Sequence, residues 1–172
     1  MKFVTIDIET NGAIPGKDDL LLLSATKIEN SEIVETFSKL IKPSRFLTDE
    51  LELFTGITNA ELENANNADL VISEFKDFAK ECIVVSYDDF EYNFLVNYGF
   101  TAQKVIYLRD YIKKTYPDLN RYIVDAVIIS LGLEEKLKEY VSSNFYYGKT
   151  RLFYSLKVAL VFLSVVENFM TE

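Results

Sequence analysis

Polar and apolar residues alternate along the first segment of the chain, residues 3–9, in the pattern of a half-buried β-strand. Three aliphatic side chains would face one side, and Thr5, Asp7 and Glu9 would face the other, because successive side chains of a strand point to opposite faces. The pattern therefore predicts two carboxylates on one face, near the end of a core strand.

The next two segments have the composition of a β-hairpin. Residues 21–29 and 33–42 are both strand-like, and Asn30–Glu32 supplies the turn between them. Further on, Thr58 and Glu61 have the spacing of a capping box, which predicts the start of a helix. The other predicted elements are helices over 48–54, 69–81, 89–99, 121–132 and 151–169 and short strands over 82–86 and 104–108.

This order of elements predicts the fold class. Strands come first and then alternate with helices, which is typical of an α/β fold with a mixed sheet. A chain of 172 residues can bury one sizeable core, and no repeat or low-complexity tract divides it. We therefore expect a single domain over residues 1–172.

The charge of the chain is unevenly distributed. The net charge is −9, whereas proteins that coat duplex nucleic acid are usually basic. Residues 1–99 contain 8 basic and 19 acidic side chains, a balance of −11, and residues 100–157 contain 10 basic and 6 acidic ones, a balance of +4. The second part could therefore face phosphates, although solvated helix faces are the simpler explanation of its charge. Its candidate residues are Arg109, Lys113, Lys114, Arg121, Lys149 and Arg151.

Composition also suggests a compartment. No segment approaches the ~20 apolar residues of a membrane-spanning helix, and the N-terminus has no charged-then-apolar leader. The single cysteine, Cys82, cannot form an intrachain disulfide. We therefore expect a cytoplasmic protein that does not contact a membrane.

Asp7 and Glu9 are the first candidate for chemistry. Two residues apart on a strand, they would lie roughly 6–7 Å apart along one face. Hard oxygen ligands at this spacing suit one or two divalent cations, as in two-metal phosphoester hydrolysis. An isolated D-x-E pattern is nevertheless more often an ordinary solvated strand face.

Several motifs together resemble one family. The order "DIETNG", a three-stranded stretch, "TGIT", a helix, "VVSYDDFEYNFL" and a final long helix resembles the DEDD 3′–5′ exonucleases, in particular the proofreading-subunit (DnaQ-like) branch. The resemblance extends from Phe3 to about Phe169. It implies a ribonuclease H-like fold, with a mixed five-stranded sheet, helices on both faces and the strand of Asp7 and Glu9 near its centre.

The resemblance also implies roles for residues of the first motif. Asp7 and Glu9 would be metal ligands for Mg²⁺ or Mn²⁺, and Thr10, Asn11 and Gly12 would contact the terminal nucleotide.

The second motif departs from the family pattern, which is approximately V-x-H-N-x-x-F-D-x-x-F-L. Ser86 and Tyr87 stand at its His and Asn positions, and Glu91 stands at its Asp position. Glu91 keeps the charge of a third catalytic carboxylate and metal ligand, but its extra methylene shifts the charge by on the order of an ångström. A misplacement of that size can cost roughly a hundredfold in rate.

The third motif departs further. Thr150 and Ser155 stand at the positions of the family's general-base His and metal-ligand Asp, and the chain contains no histidine. A general base typically contributes ~10²–10⁴ in rate. The neighbouring Lys149 and Arg151 are expected to contact substrate phosphates.

Aromatic side chains are a further candidate for substrate binding. They can stack on unpaired bases, although core packing is the simpler interpretation for so aromatic a chain. The candidates near the degenerate motifs are Tyr87, Tyr92, Phe145, Tyr146 and Tyr147.

Three functional classes follow. The first, which we favour, is a protein with the fold of a DNA polymerase III epsilon-like exonuclease that binds single-stranded DNA or RNA 3′ ends, holds Mg²⁺ or Mn²⁺ weakly if at all, and hydrolyses slowly or not at all. The second is a working 3′–5′ exonuclease with an unusual site. The third is a non-catalytic module whose acidic first half docks a polymerase or another protein.

Overall fold

The computed structural model describes residues 1–144 and 153–166. In these residues a single five-stranded sheet has the order β3-β2-β1-β4-β5. The strands β1, β2 and β3 pair antiparallel, whereas β4 and β5 run parallel to β1. The strand bounds are β1 Lys2–Thr10, β2 Leu20–Glu29, β3 Glu32–Leu40, β4 Ile83–Ser86 and β5 Val105–Tyr107. The expected mixed sheet is confirmed, and the strand of Asp7 and Glu9 is its middle strand.

The helices follow the hairpin and then alternate with the last two strands. Their bounds are α1 Asp49–Thr55, α2 Asn59–Glu63, α3 Ala68–Phe78, α4 Asp89–Asn97, α5 Leu108–Thr115, α6 Val124–Ser130, α7 Glu134–Asn144 and α8 Phe153–Val166. No helix within the described ranges is long and apolar enough to cross a membrane.

The alternation of β1 determines which layer each side chain meets. Val4, Ile6 and Ile8 enter a core with Phe75 of α3 and Phe94 of α4. On the opposite face, the face of Asp7 and Glu9, a second core is built largely from α5, α6 and α8. Helices therefore cover both faces of the sheet, as expected.

A third and smaller cluster positions the segment that contains α1 and α2. Leu22 of β2 is buried there against Leu47, Ile57 and Leu62. Thr58 and Glu61 form the predicted capping box at the start of α2, and Thr48 caps α1 as expected. Local hydrogen bonds thus begin these helices, and the leucine cluster fixes them on the sheet.

The predicted hairpin is present with a tighter turn than expected. Asn30 and Ser31 alone form the loop, with φ angles of 51° and 65°, and Glu32 already belongs to β3. Two left-handed residues match the right-handed twist of the flanking strands. The sequence patterns did not predict α5 and α7, because α5 starts directly at the end of β5 and α7 is mostly polar.

Candidate active site

The candidate site lies where the middle strand extends beyond its parallel neighbour. β4 pairs with β1 only from Phe3 to Thr5, whereas β1 continues to Thr10. Asp7 and Glu9 lie in this extension, opposite Ser24 and Leu22 of β2. The carboxylates therefore stand at the carboxyl end of the parallel strands, where α/β sheets commonly bind their ligands.

The electrostatic environment of Asp7 shows that acidic groups converge there. Burial raises the pKa of Asp7 well above its usual range, and the negative charges of Glu9 and then Glu91 raise it further. A hydrogen bond with Ser24 acts in the opposite direction. The charge of a bound cation would relieve this repulsion and favour the ionised carboxylate.

Glu91 is drawn into the start of α4. The Ser86 hydroxyl donates to Glu91 Oε2 at 2.8 Å, and the Asp88 backbone N–H donates to the same oxygen at 3.4 Å, as part of a capping box. Burial raises the pKa of Glu91 to about 7, with a second contribution from the charge of Asp88. The third carboxylate therefore caps a helix in this structure, and Ser86 orients it.

Asp88 completes this cap from the other side. Its carboxylate accepts a hydrogen bond from the Phe90 backbone N–H at 2.9 Å and pairs with Arg109 Nη1 at 2.8 Å. An aspartate at this position stabilises the start of the helix, because it satisfies a backbone N–H group of the first turn. Arg109 is thereby brought from α5 to the edge of the second motif.

Tyr87 belongs to the second core. Its side chain is 8% exposed, and its hydroxyl donates to the Tyr122 carbonyl at 2.6 Å. Burial raises the pKa of the phenol. Tyr87 therefore packs in the core, which the sequence analysis gave as the simpler interpretation of the aromatic residues.

Ser155 lies within the core on the Asp7 face of the sheet. The side chain is fully buried, and its hydroxyl lies 3.2 Å from Thr26 Oγ1. Thr5 Oγ1 donates to the Ser155 carbonyl at 2.9 Å. Thr5 and Thr26 are the cross-strand pair next to Asp7 and Ser24, so α8 crosses the sheet beside the candidate site with a neutral hydroxyl at the third-motif ligand position.

The turn after Glu9 is held by its own side chains. Asn11 is 7% exposed; its amide nitrogen donates to Asp19 Oδ2 at 3.0 Å, and its amide oxygen accepts from the Asp19 N–H at 2.6 Å. Thr10 Oγ1 donates to the Gly12 carbonyl at 2.6 Å. A Cβ at Gly12 would lie 2.2 Å from Asp18 Cγ, so a larger residue would displace the Asp18 carboxylate. These residues shape the turn; the structure shows no exposed amide of Asn11 for a nucleotide.

Two exposed apolar residues that the sequence analysis did not assign precede the segment that packs opposite Glu9. Leu53 and Phe54 of α1 are 85% and 86% exposed. Ile57, three residues after Phe54, packs against Leu22, which stands opposite Glu9 on the same face of the sheet. In the sequence, the pair of apolar residues directly before Thr55-Gly56 could have indicated a binding surface, because exposed apolar side chains often mark a ligand-binding surface.

The donor set fits a divalent cation only in part. Asp7 and Glu9 offer hard oxygens, but the described residues contain no group of three His, Cys, Asp or Glu side chains arranged to hold a metal ion. Glu91 is directed to Ser86, and Ser155 supplies no charge. The predicted site residues Lys149, Thr150 and Arg151, and the stacking candidates at positions 145–147, lie outside the described residues.

Comparisons with known proteins agree with this arrangement. The family model described as "Exonuclease" matches residues 4–138. The chain is 34% identical over 137 residues to the PolC-type DNA polymerase III of Thermotoga maritima; the match covers 76% of this chain and 10% of that protein. It is 29% identical over 151 residues to the DNA polymerase III subunit epsilon of Aquifex aeolicus, covering 77% of this chain and 69% of the subunit. The chain thus spans about a tenth of the length of the PolC-type relatives.

A solved structure confirms the fold. The nuclease domain of 3′hExo, described as a DEDDh family member bound to rAMP, superimposes with a TM-score of 0.77 at 17% sequence identity. The superposition covers 97% of this chain and 92% of that domain. The ribonuclease H-like exonuclease fold expected from the motifs is therefore present.

Proposed function

Because this chain belongs to the exonuclease family, we propose that it binds single-stranded 3′ ends of nucleic acid and hydrolyses them very slowly or not at all. The observation that carries this proposal is Ser155. The position at which α8 would present a third-motif carboxylate holds a fully buried hydroxyl bonded to Thr26.

The remaining side chains support slow hydrolysis. A divalent cation held by Asp7 and Glu9 would supply Lewis-acid stabilisation of the phosphate oxygens. Glu91 is committed to Ser86 and the Asp88 N–H, so it would have to break a helix cap to ligate an ion. No imidazole is available anywhere in the chain as a general base, a group that typically contributes ~10²–10⁴ in rate.

Binding of an unpaired end has separate support. Leu53 and Phe54 are exposed on α1, shortly before Ile57, which packs on the residue opposite Glu9. Base–aromatic stacking contributes about 1–3 kcal/mol per base. Arg109 lies at the edge of the second motif, and Lys149 and Arg151 belong to the basic part of the chain. Backbone groups of the turn at Thr10, Asn11 and Gly12 complete the proposed contact surface.

One observation favours a working exonuclease as the second candidate. Glu91 has a pKa of about 7, which is near the operating pH of a general base. In this alternative, Glu91 leaves the cap and accepts the proton of the attacking water. If Glu91 is the general base, Glu91→Gln should abolish turnover. In the first candidate there is little turnover for this substitution to change.

The decisive experiment measures binding and hydrolysis in the same samples. Fluorescence anisotropy with 5′-labelled single-stranded DNA and RNA, with Mn²⁺ or Ca²⁺, should give salt-sensitive binding, and product analysis should show turnover far below ~1 s⁻¹. Leu53→Ser/Phe54→Ser should weaken binding. The control Ile123→Ser/Ile129→Ser, which alters two exposed residues directly before α6 and within it, should not.

Two outcomes would contradict the proposal. Turnover near 1 s⁻¹ that disappears in Asp7→Asn and Glu91→Gln would establish the second candidate. The absence of oligonucleotide binding at low salt, with metal present, would favour the protein-interaction module instead.

A further inference from the structure

The outer edge of β3 is unusually open. β3 is the terminal strand of the sheet, and among the described residues only β2 pairs with it. Natural edge strands are usually short, or carry bulges, prolines or several lysines, because unpaired N–H and C=O groups otherwise attract another strand. β3 has nine residues, no proline and a single lysine, Lys39, and its one bulge lies near its start, at Val34.

The segments next to this edge leave it accessible in the part of the chain that the structure describes. Coverage begins only after the strand ends, where Ile41 forms an isolated bridge with Asn66 and the Lys42 N–H donates to the Asn66 carbonyl. The only register irregularity of the β2–β3 pair lies at Val34, between Ile33, which pairs with Ile28, and Glu35, which pairs with Lys27. The stretch from Glu35 to Leu40 pairs regularly with β2, so its outer edge can accept a strand.

We propose that the edge of β3 pairs antiparallel with β3 of a second copy of this chain, about a two-fold axis through Phe37. In this register Glu35 lies opposite Lys39 of the second copy, and the symmetry produces this ion pair twice. On the other face Thr36 lies opposite Ser38. Opposite charges and hydroxyl pairs directly across two strands stabilise their pairing.

The charges of β3 select this register among the symmetric ones. A two-fold axis normal to the sheet must pass through a residue, because directly paired side chains lie on the same face. An axis through Glu35 would place Glu35 opposite itself, and axes through Thr36 or Ser38 would create no ion pair. Only the axis through Phe37 matches the acid of one strand with the base of the other.

The two charged side chains are available for such pairing. Glu35 is bonded to Lys27 at 2.8 Å with its side chain 58% exposed, and Lys39 lies 3.6 Å from Glu74 with its side chain 45% exposed. Each side chain can therefore keep its partner in its own chain and also form an ion pair with the second copy. A strand edge buries less than the ~1,200 Å² of a standard interface, so dimerisation should be weak and concentration-dependent.

The proposed dimer has a defined layout. Two five-stranded sheets would join into one of ten strands, and both Asp7 faces would lie on the same side, because the two-fold axis is normal to the sheet. The two candidate sites would point to opposite ends. Each site is therefore complete within one copy, and the dimer does not depend on nucleic-acid binding or hydrolysis.

Sedimentation equilibrium of charge-reversal variants tests the proposal. Glu35→Lys and Lys39→Glu should each raise the dimer dissociation constant about tenfold, since each replaces two attractive pairs by two repulsive ones. The double variant Glu35→Lys/Lys39→Glu should regain the native value. An equimolar mixture of the two single variants should also dimerise, because each heterodimer restores both opposite-charge pairs.

Matched controls separate the edge from general charge effects. Glu135→Lys and Lys138→Glu make the same changes at an ion pair on α7 and should leave the dissociation constant unchanged. Circular dichroism should show that all variants are folded. A native protein that stays monomeric at the highest attainable concentration, or a dimer that does not respond to the β3 reversals, would overturn the proposal.

Discussion

At the scale of single residues, Ser155 has the largest effect on what the site can do. Its hydroxyl is bonded to Thr26 and its carbonyl to Thr5, one cross-strand pair away from Asp7. A serine there removes one negative charge from a place where Glu9 and Glu91 already repel Asp7. The substitution therefore relieves repulsion in the fold and removes a ligand from the site.

Ser155→Asp should reverse both effects. Without metal, an additional buried charge should lower the melting temperature, because burying an unpaired carboxylate is costly. Mn²⁺ should then raise the melting temperature of the variant more than that of the native protein, because binding to the folded state alone stabilises it. Thermal unfolding with and without Mn²⁺ measures this.

Ser155→Asn is the matched control for this prediction, with similar size and no charge. It should destabilise the fold without any added response to Mn²⁺. If Ser155→Asp shows no greater metal response than Ser155→Asn, then position 155 does not reach the ion-binding carboxylates.

Glu91 gives the protein a defined pH dependence. Its pKa is raised to about 7 in the fold, above its usual value of 4.5, so the folded state binds the proton more tightly than the unfolded state. The contribution of protonated Glu91 to the free energy of unfolding is therefore complete below pH 4.5 and is lost as the pH rises to about 7. Asp7, whose pKa is also raised, should likewise lower the stability of the fold as the pH rises.

Glu91→Gln should therefore flatten the stability profile between pH 4.5 and 7. It should gain on the order of 1–3 kcal/mol relative to the native protein at pH 8. Urea unfolding at a series of pH values measures this, with Asp69→Asn as an exposed control. A native profile that rises with pH in this interval, and that Glu91→Gln leaves unchanged, would contradict the assignment.

At the scale of elements, the start of α4 combines a structural and a chemical role. Asp88 caps the helix and holds Arg109, while Glu91 closes the capping box through the Asp88 N–H. The same first turn therefore fixes the second-motif carboxylate and begins the helix. A substitution at the cap should therefore affect both the position of the Glu91 carboxylate and the stability of α4.

Asp88→Ala should lower the free energy of unfolding by about 1–2 kcal/mol, because it removes an N-cap and the partner of Arg109. Asp88→Asn should retain most of the cap and lose only the ion pair. Asp89→Ala, at the next and exposed position, should cost much less. Chemical denaturation measures all three, and equal losses for Asp88→Ala and Asp89→Ala would show that the cap contributes little.

At the scale of the whole molecule, the division of charge should control nucleic-acid binding. The net balance is −11 over residues 1–99 and +4 over residues 100–157. An overall acidic protein gains little non-specific attraction to phosphates, so binding should depend on a few local cations and weaken steeply with salt. The cations concerned lie in the second part of the chain.

Lys149→Glu/Arg151→Glu should therefore weaken oligonucleotide binding about tenfold and reduce its dependence on salt. Lys76→Glu/Lys80→Glu makes the same charge change next to the start of β4, at the end of the sheet opposite the site, and should alter binding by less than about twofold. Anisotropy titrations at several salt concentrations measure both. An equal loss of oligonucleotide affinity in the two double variants would mean that net charge, and not the local surface, controls binding.

Local patterns in the sequence were sufficient for most elements and for the first motif. The alternation of residues 3–9 predicted both the strand and the shared face of Asp7 and Glu9, because a strand has a period of two residues. The caps at Thr48 and Thr58 could likewise be predicted, since the hydrogen bonds that form them join residues three apart in the chain. The order of the motifs gave the family and with it the central place of β1.

Contacts between distant segments decided the rest. That Glu91 bonds to Ser86, that Tyr87 is enclosed by the second core and that Ser155 meets Thr5 and Thr26 depend on how α4 and α8 pack on the sheet. The exposure of Leu53 and Phe54 depends on the leucine cluster that holds α1 outward. The sequence alone determined which chemical groups are present. Packing between segments up to 150 residues apart determined which of them meet, because local patterns carry no record of such distances.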